Sequence, residues 1–208
     1  MELAPLPLYQ RLKPWLARTF GRDVYRVALD AGSTCPNRDG TKAFGGCTYC
    51  DVEGSGTGAL RTGQELAAQL EAGIRRVRRR GDGVGVIAYL QSYSNTYVEL
   101  DRLREVLAVV EPWISENNIG APVVALSLAT RPDTFSAEAA SVLAELNTRL
   151  PVWVEFGLEA ADDGVLETIR RFHTVAEFED AVARAHAHGL TTVGHAILGL
   201  PGDGRAGA

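Results

Sequence analysis

The sequence predicts an α/β protein built on one parallel sheet. Two observations carry this. Five short strand-length runs alternate with helical patterns along the chain, and those runs are nearly all apolar. Alternation of strand and helix signals βαβ units, and continuous apolarity marks strands covered on both faces. Right-handed crossovers then give either a doubly wound sheet or a barrel, and the residues alone leave both open.

Each element has its own signal. Residues 1–22 are a lead-in, with Leu8, Leu12, Trp15, Leu16 and Phe20 at helical spacing and Gly21 placed to end the helix. Tyr25–Asp30 alternates over a short span and reads as the first strand. Thr62 and Glu65 have capping-box spacing, Leu66, Leu70, Ile74 and Val77 follow at helical steps, and Gly81 is the expected stop. Gly85–Leu90 is the second strand. Residues 98–115 carry Leu103, Val106, Leu107 and Val110 on one helical face. Val123–Leu128 is the third strand, with Thr130 just beyond it. Ser136 is placed to cap the helix of Val142, Leu143 and Leu146. Val152–Leu158 is the fourth strand, and a short helix follows over Asp163–Arg170. Thr174 and Glu177 form a second capping box, opening a helix that Gly189 closes. Thr192–Leu198 is the fifth strand.

Composition is that of a soluble globular domain, 46% hydrophobic and 23% charged, with net charge −5. The length suits one domain. No apolar run reaches the eighteen or so residues a membrane helix needs. The first residues show no basic-then-apolar leader. With clustered thiols, this reads as a reducing, cytoplasmic setting. The negative balance argues against a whole-surface nucleic-acid footprint but leaves a local patch open. Arg75, Arg76, Arg78, Arg79 and Arg80 end the second helix, as dipole complements or as phosphate contacts for RNA.

The chemistry centres on residues 33–50. Cys35, Cys47 and Cys50 are the protein's only three cysteines, spaced C-x11-C-x2-C in a Gly-rich, charged loop just past the first strand. Strand ends are where α/β folds place their sites. Three thiolates suit an iron–sulfur cluster that keeps one iron free for a small molecule, or a zinc site completed by His173 or His195. Gly45 and Gly46 let backbone come close to a bulky group. Asn37, Arg38 and Asp39 can order the loop through side-chain to backbone bonds.

The stretch T-C-P-N-R-D-G-T-K-x-x-G-G-C-T-Y-C resembles the cluster loop of the radical S-adenosylmethionine (SAM) superfamily. More narrowly it resembles the YhcC-like branch, whose core is similar to the Elongator catalytic subunit. The long first gap departs from the superfamily's commonest C-x3-C-x2-C but matches this branch. The resemblance implies a [4Fe–4S] cluster on the three cysteines, SAM chelating the fourth iron, and one-electron cleavage of SAM to methionine and a 5′-deoxyadenosyl radical. It implies a one-electron donor such as flavodoxin or ferredoxin, and an unknown substrate, RNA among the possibilities.

The resemblance also selects the barrel, an open partial TIM barrel of six βα units of which five are readable. The core is then 23–200, followed by a Gly/Ala-rich tail over 201–208. The expected fifth helix, sixth strand and C-terminal segment do not follow the Leu-Pro-Gly turn. This suggests a truncated or frame-shifted product, with weaker SAM binding and a tendency to associate through the fifth strand.

Candidate SAM contacts follow by position. Tyr49 precedes the last cysteine, where the family places an aromatic near the adenine. Gln91 and Ser92 follow the second strand, where a Gly-Gly-Glu motif usually holds the SAM amine. Thr130 ends the third strand. Glu159 in V-E-F-G-L-E stands at the ribose position, where many relatives have Gln. Arg171 matches an arginine that pairs with the SAM carboxylate. Glu155 and His195 are polar positions within apolar strands; a core role is the competing reading for His195, and packing is the reading for Trp153. Two other outcomes compete with the enzyme: a zinc-binding, non-enzymatic RNA-associated module, and an inactive fragment.

Overall fold

The computed structural model describes residues 9–51, 54, 56–114 and 120–204. The chain runs α1 (Leu12–Phe20), β1 (Val24–Leu29), α2 (Leu66–Arg78), β2 (Gly85–Leu90), α3 (Leu100–Val110), β3 (Val123–Thr130), α4 (Ala137–Asn147), β4 (Val152–Glu159), α5 (Asp163–Thr168), α6 (Val175–Ala187) and β5 (Thr191–Ala196). All four strand pairings are parallel, and the spatial order is the chain order β1-β2-β3-β4-β5. A doubly wound sheet reverses direction at a switch point. This one never reverses, so each crossover advances the same way, as in a partial barrel.

Side-chain alternation divides the strands into two layers. Val27, Leu29, Val86, Ala88, Leu90, Leu126, Leu128, Val154 and Phe156 face the helices and join their apolar stripes in the main core. The opposite face is graded. At its amino end Val24, Ile87, Ala125 and Trp153 pack against Leu16 of α1. Trp15 and Phe20 stack at 5.7 and 6.1 Å from Trp153. The lead-in helix thus plugs the bottom of the barrel interior, and Trp153 is packing as expected. Above this floor the inward positions turn polar: Arg26, Tyr89, Ser127, Glu155 and His195. A one-residue slip between Val86 and Ile87 against β3 keeps Val123 outward and Ala125 inward.

Some boundaries differ from the sequence reading. Thr62 does not cap α2. It ends a separate turn, Leu60–Thr62, and its hydroxyl donates to the Ala59 carbonyl, because Gly63 in the left-handed region (φ 83°) breaks the chain before the helix starts at Leu66. α2 ends at Arg78, ahead of Gly81. α3 stops at Val110, since Pro112 lacks the amide to continue it and a 3-10 turn follows. β5 ends at Ala196, leaving Leu198 exposed. The Ser136 cap, the Thr174–Glu177 capping box and the left-handed Gly21 stop form as expected. Leu8 and the end of the 201–208 tail lie outside the described residues.

Candidate cluster and cofactor site

A cleft of about 380 Å³ opens at the carboxyl ends of the strands. Cys35, Cys47 and Cys50 line it together with Tyr49, Gln91, Thr130, Glu155, Glu159, Arg171 and His195. Of the three cysteines and the eight candidate SAM contacts, only Ser92 is not among the lining. Its side chain is wholly buried with no partner for its hydroxyl, and its carbonyl accepts from Ser33.

The cysteine loop is fixed by the segment after α5. Asn37, fully buried, donates through Nδ2 to the carbonyls of Arg170 (2.8 Å) and Arg171 (3.0 Å) and to Cys47 Sγ (3.4 Å). The Thr48 amide donates to the Ile169 carbonyl, Lys42 to that of Phe172, and Arg170 back to that of Phe44. Arg170 and Phe172 both hold positive φ, 58° and 54°. Such conformations in side-chain-bearing residues cost energy and persist where surroundings over-determine them.

Around the sulfurs stand guanidinium groups. Arg38 Nη2 lies 3.3 Å from Cys50 Sγ and also donates to the Asp51 carbonyl. Arg171, buried, reaches Cys47 Sγ at 3.9 Å, the Gly157 carbonyl at 3.0 Å and Glu159 at 3.5 Å. Arg131, only 2% exposed, forks onto Asp133 through two 2.9 Å bonds and donates to the Arg171 carbonyl. Burial pushes the Cys35 thiol pKa up, against the opposing pull of the Asn37 amide, Arg131 and Arg171. Gly157 makes room for this arrangement: a Cβ there would sit 2.3 Å from Glu159 Oε1 and 2.5 Å from Arg171 Nη2.

Glu155 and His195 sit one layer deeper, in the barrel interior. Glu155 has no exposed side-chain surface. It accepts from Arg26 of β1 (2.9 Å), Ser127 of β3 and His195 of β5 (2.7 Å). Burial raises its pKa, but those hydrogen bonds and the Arg26 charge outweigh it and hold the carboxyl below its usual range. The same Glu155 bond raises the His195 pKa, and burial only partly opposes it. Arg26 also lies over the Tyr89 ring, 4.8 Å from its centre.

His173 is sealed in the wall behind the loop, with both ring nitrogens unpartnered. Among the described residues, no three His, Cys, Asp or Glu side chains converge as ligands of one metal ion. The arginine run ending α2 lies at the other end of the barrel, beside the glycines that precede β2 and β3. There Arg75 pairs with Glu71 and Arg80 covers Tyr25.

Sequence reasoning missed Arg26, Tyr89 and Arg131, and credited Asn37 and Arg38 only with ordering the loop. For Arg26 a usable signal existed, since a charge inside an otherwise apolar strand has to face something polar. Arg131 directly follows β3 at a strand end and could have been taken with Thr130.

A one-way parallel sheet with three cysteines lining one cleft at its carboxyl edge defines an α/β protein of partial-barrel architecture. Within that class the chain belongs to the radical SAM superfamily, whose sequence profile matches residues 34–206. It is similar to the uncharacterized protein YtqA of Bacillus subtilis, 37% identical over 201 residues, covering 95% of this chain and 59% of that one. It is also similar to protein YhcC of Escherichia coli, 35% identical over 195 residues, covering 92% and 59%. The chain therefore spans about three-fifths of the length of these curated relatives. Among solved structures, the archaeal Elp3 of Methanocaldococcus infernus shares the fold, with a TM-score of 0.59 and 18% identity over 86% of this chain and 39% of that one. Among the described residues no helix is long and apolar enough to cross a membrane.

Proposed function

We propose that this chain binds a [4Fe–4S] cluster through Cys35, Cys47 and Cys50 and carries out reductive cleavage of SAM. The observation that carries this is the lining of a single cleft by all three thiols, with nitrogen donors directed at two of the sulfurs. Soft thiolate donors in a roomy cleft fit a polynuclear iron–sulfur group. When bound, the cluster supplies one electron to SAM, yielding methionine and a 5′-deoxyadenosyl radical.

The protein's own residues bind, orient and shield. Arg171 and Glu159, held together over Gly157, present a cation and a carboxylate for the SAM carboxylate and the ribose hydroxyls. Tyr49 offers an aromatic face beside them, and Gln91 and Thr130 complete the rim. The interior layer of Arg26, Glu155 and His195 faces the substrate side, where His195 can hold or accept a proton while Glu155 stabilises its charged form. The substrate needs to reach this layer through the cleft. The α2 arginines lie at the opposite end, which weakens the case for their serving an RNA substrate.

The test is anaerobic reconstitution with iron and sulfide, metal and sulfide counting, then product analysis after dithionite reduction with SAM. About four irons and four sulfides per chain, with methionine and 5′-deoxyadenosine formed, is the expected result. A single zinc ion without sulfide would establish the zinc-binding module instead, and no metal at all an inactive chain.

A further inference from the structure

We propose that the guanidinium shell around the cysteines sets the reduction potential of the cluster, and that Arg38 is its principal adjustable member. The inference rests on the cluster-binding function proposed above.

Two of the three sulfurs have an arginine within hydrogen-bonding reach, Arg38 at Cys50 (3.3 Å) and Arg171 at Cys47 (3.9 Å). The third, Cys35, feels Arg131 and Arg171 electrostatically. Arg131 and Arg171 act from further off, each beside a carboxylate, Asp133 and Glu159. Arg38 makes the shortest guanidinium contact to a sulfur: it bridges Cys50 and the Asp51 carbonyl and lies over the Tyr93 ring, 5.5 Å from the centre. Its position is thus tied to the sulfur itself.

The physical consequence has a definite sign. A cluster held by three thiolates is negatively charged, and reduction adds one electron to it with no proton. Cations and N–H donors at the sulfurs stabilise the more negative, reduced form more than the oxidised one. Net charge and hydrogen bonds to sulfur are among the main determinants of cluster potential. In a partly buried site these terms are weakly screened. The shell therefore raises the potential, so that a milder one-electron donor suffices. A guanidinium does not titrate in the working range, so the offset persists from neutral to mildly alkaline pH.

The competing reading is that Arg38 merely clamps the loop between Cys50 and Asp51. A clamp alters how much cluster is held, not the potential of the cluster that is held. The experiment uses the full chain in three forms: native, Arg38→Gln and Arg38→Lys. Each is reconstituted anaerobically, counted for iron and sulfide, and titrated with dithionite while the reduced signal is followed by electron paramagnetic resonance. At equal iron content the Gln chain is expected at a more negative midpoint than the native one. The Lys chain keeps the charge but loses the two-pronged reach, and is expected between them. A Gln chain with native iron content and native midpoint overturns the proposal. Should the Gln chain take up no iron, a Lys midpoint equal to the native one overturns it. Failure of the native chain to assemble a cluster refutes the proposed function instead, and this inference with it.

Discussion

His173 gives the protein an acid sensitivity whose size follows from its surroundings. The imidazole is 3% exposed, neither ring nitrogen has a partner, and Arg171, Arg131 and Lys42 add positive potential. Burial first, then those cations, push its pKa down to about 3, against about 6.5 in an unfolded chain. The folded state thus keeps the ring neutral while the unfolded state binds a proton, so the stability is complete above about 6.5 and is lost as pH falls toward about 3. At about 1.4 kcal/mol per pKa unit, going from pH 8 to pH 5 removes about 2 kcal/mol. Asp133, whose pKa is lowered by its Arg131 and Lys42 bonds despite burial, stays charged across that window. His173→Leu keeps the bulk and removes the titration. Urea unfolding of both metal-free chains at pH 8 and pH 5 gives a double difference in which other titrating groups cancel. The Leu chain is expected to gain about 2 kcal/mol relative to the native chain on acidification, or about 4–8 °C in Tm for a chain of this size. Parallel pH profiles for the two chains would refute the reasoning.

Three further outcomes follow from the site. Cys47→Ala is expected to abolish the brown iron–sulfur absorption after reconstitution; full absorption in that variant would defeat the three-cysteine assignment. Gly157→Ala forces Glu159 and Arg171 apart and is expected to weaken SAM binding by about tenfold or more, roughly 1–2 kcal/mol, with circular dichroism unchanged; calorimetric titration of the reconstituted chain decides it, and native affinity would count against the Arg171–Glu159 assignment. Glu155→Gln weakens the hydrogen bond, and removes the charge, that raise the His195 pKa. That contribution is present below the unfolded pKa and lost as pH rises through the folded one, opposite in sign to His173. In the Gln chain the His195 pKa, followed by nitrogen NMR on metal-free protein, is expected to fall; an unchanged value would mean Glu155 does not control it.

The central strands were legible because burial on both faces leaves an unbroken apolar run, whereas β5, read from the same apolarity, is exposed or half-buried along its whole length. Gly85–Leu90, wholly buried, was bounded to the residue. The same uniformity hid which face was inward, since apolar residues at every position carry no phase. Hence Arg26 went unread while Glu155 and His195 were noticed but not placed together. The false cap at Thr62 arose because spacing registers Ser/Thr and Glu three apart but not that Gly63 adopts the left-handed region. The three cysteines were fully legible. Their wall was not, because Asn37, Arg131 and the strained Arg170–Phe172 segment meet only through contacts between residues more than thirty apart in the chain.

The long gap between Cys35 and Cys47 has a structural reason in that wall. The loop hydrogen-bonds to itself first, with the amides of Arg38 and Asp39 on the Cys35 carbonyl, those of Lys42 and Ala43 on the Pro36 carbonyl, and that of Gly46 on the Asn37 carbonyl. These bonds fold eleven intervening residues into a compact unit and return Cys47 next to Asn37. The unit then docks on residues 169–172 through Asn37, Thr48, Lys42 and Arg170. Closing a loop of this length costs only slightly more entropy than closing a short one, because the cost grows with the logarithm of length. The extra residues supply the donors that fix Cys47 and the Arg171 backbone to the same side chain. The placement of Cys47 and of Arg171 is therefore set by one docking event, and a change that loosens it acts on both.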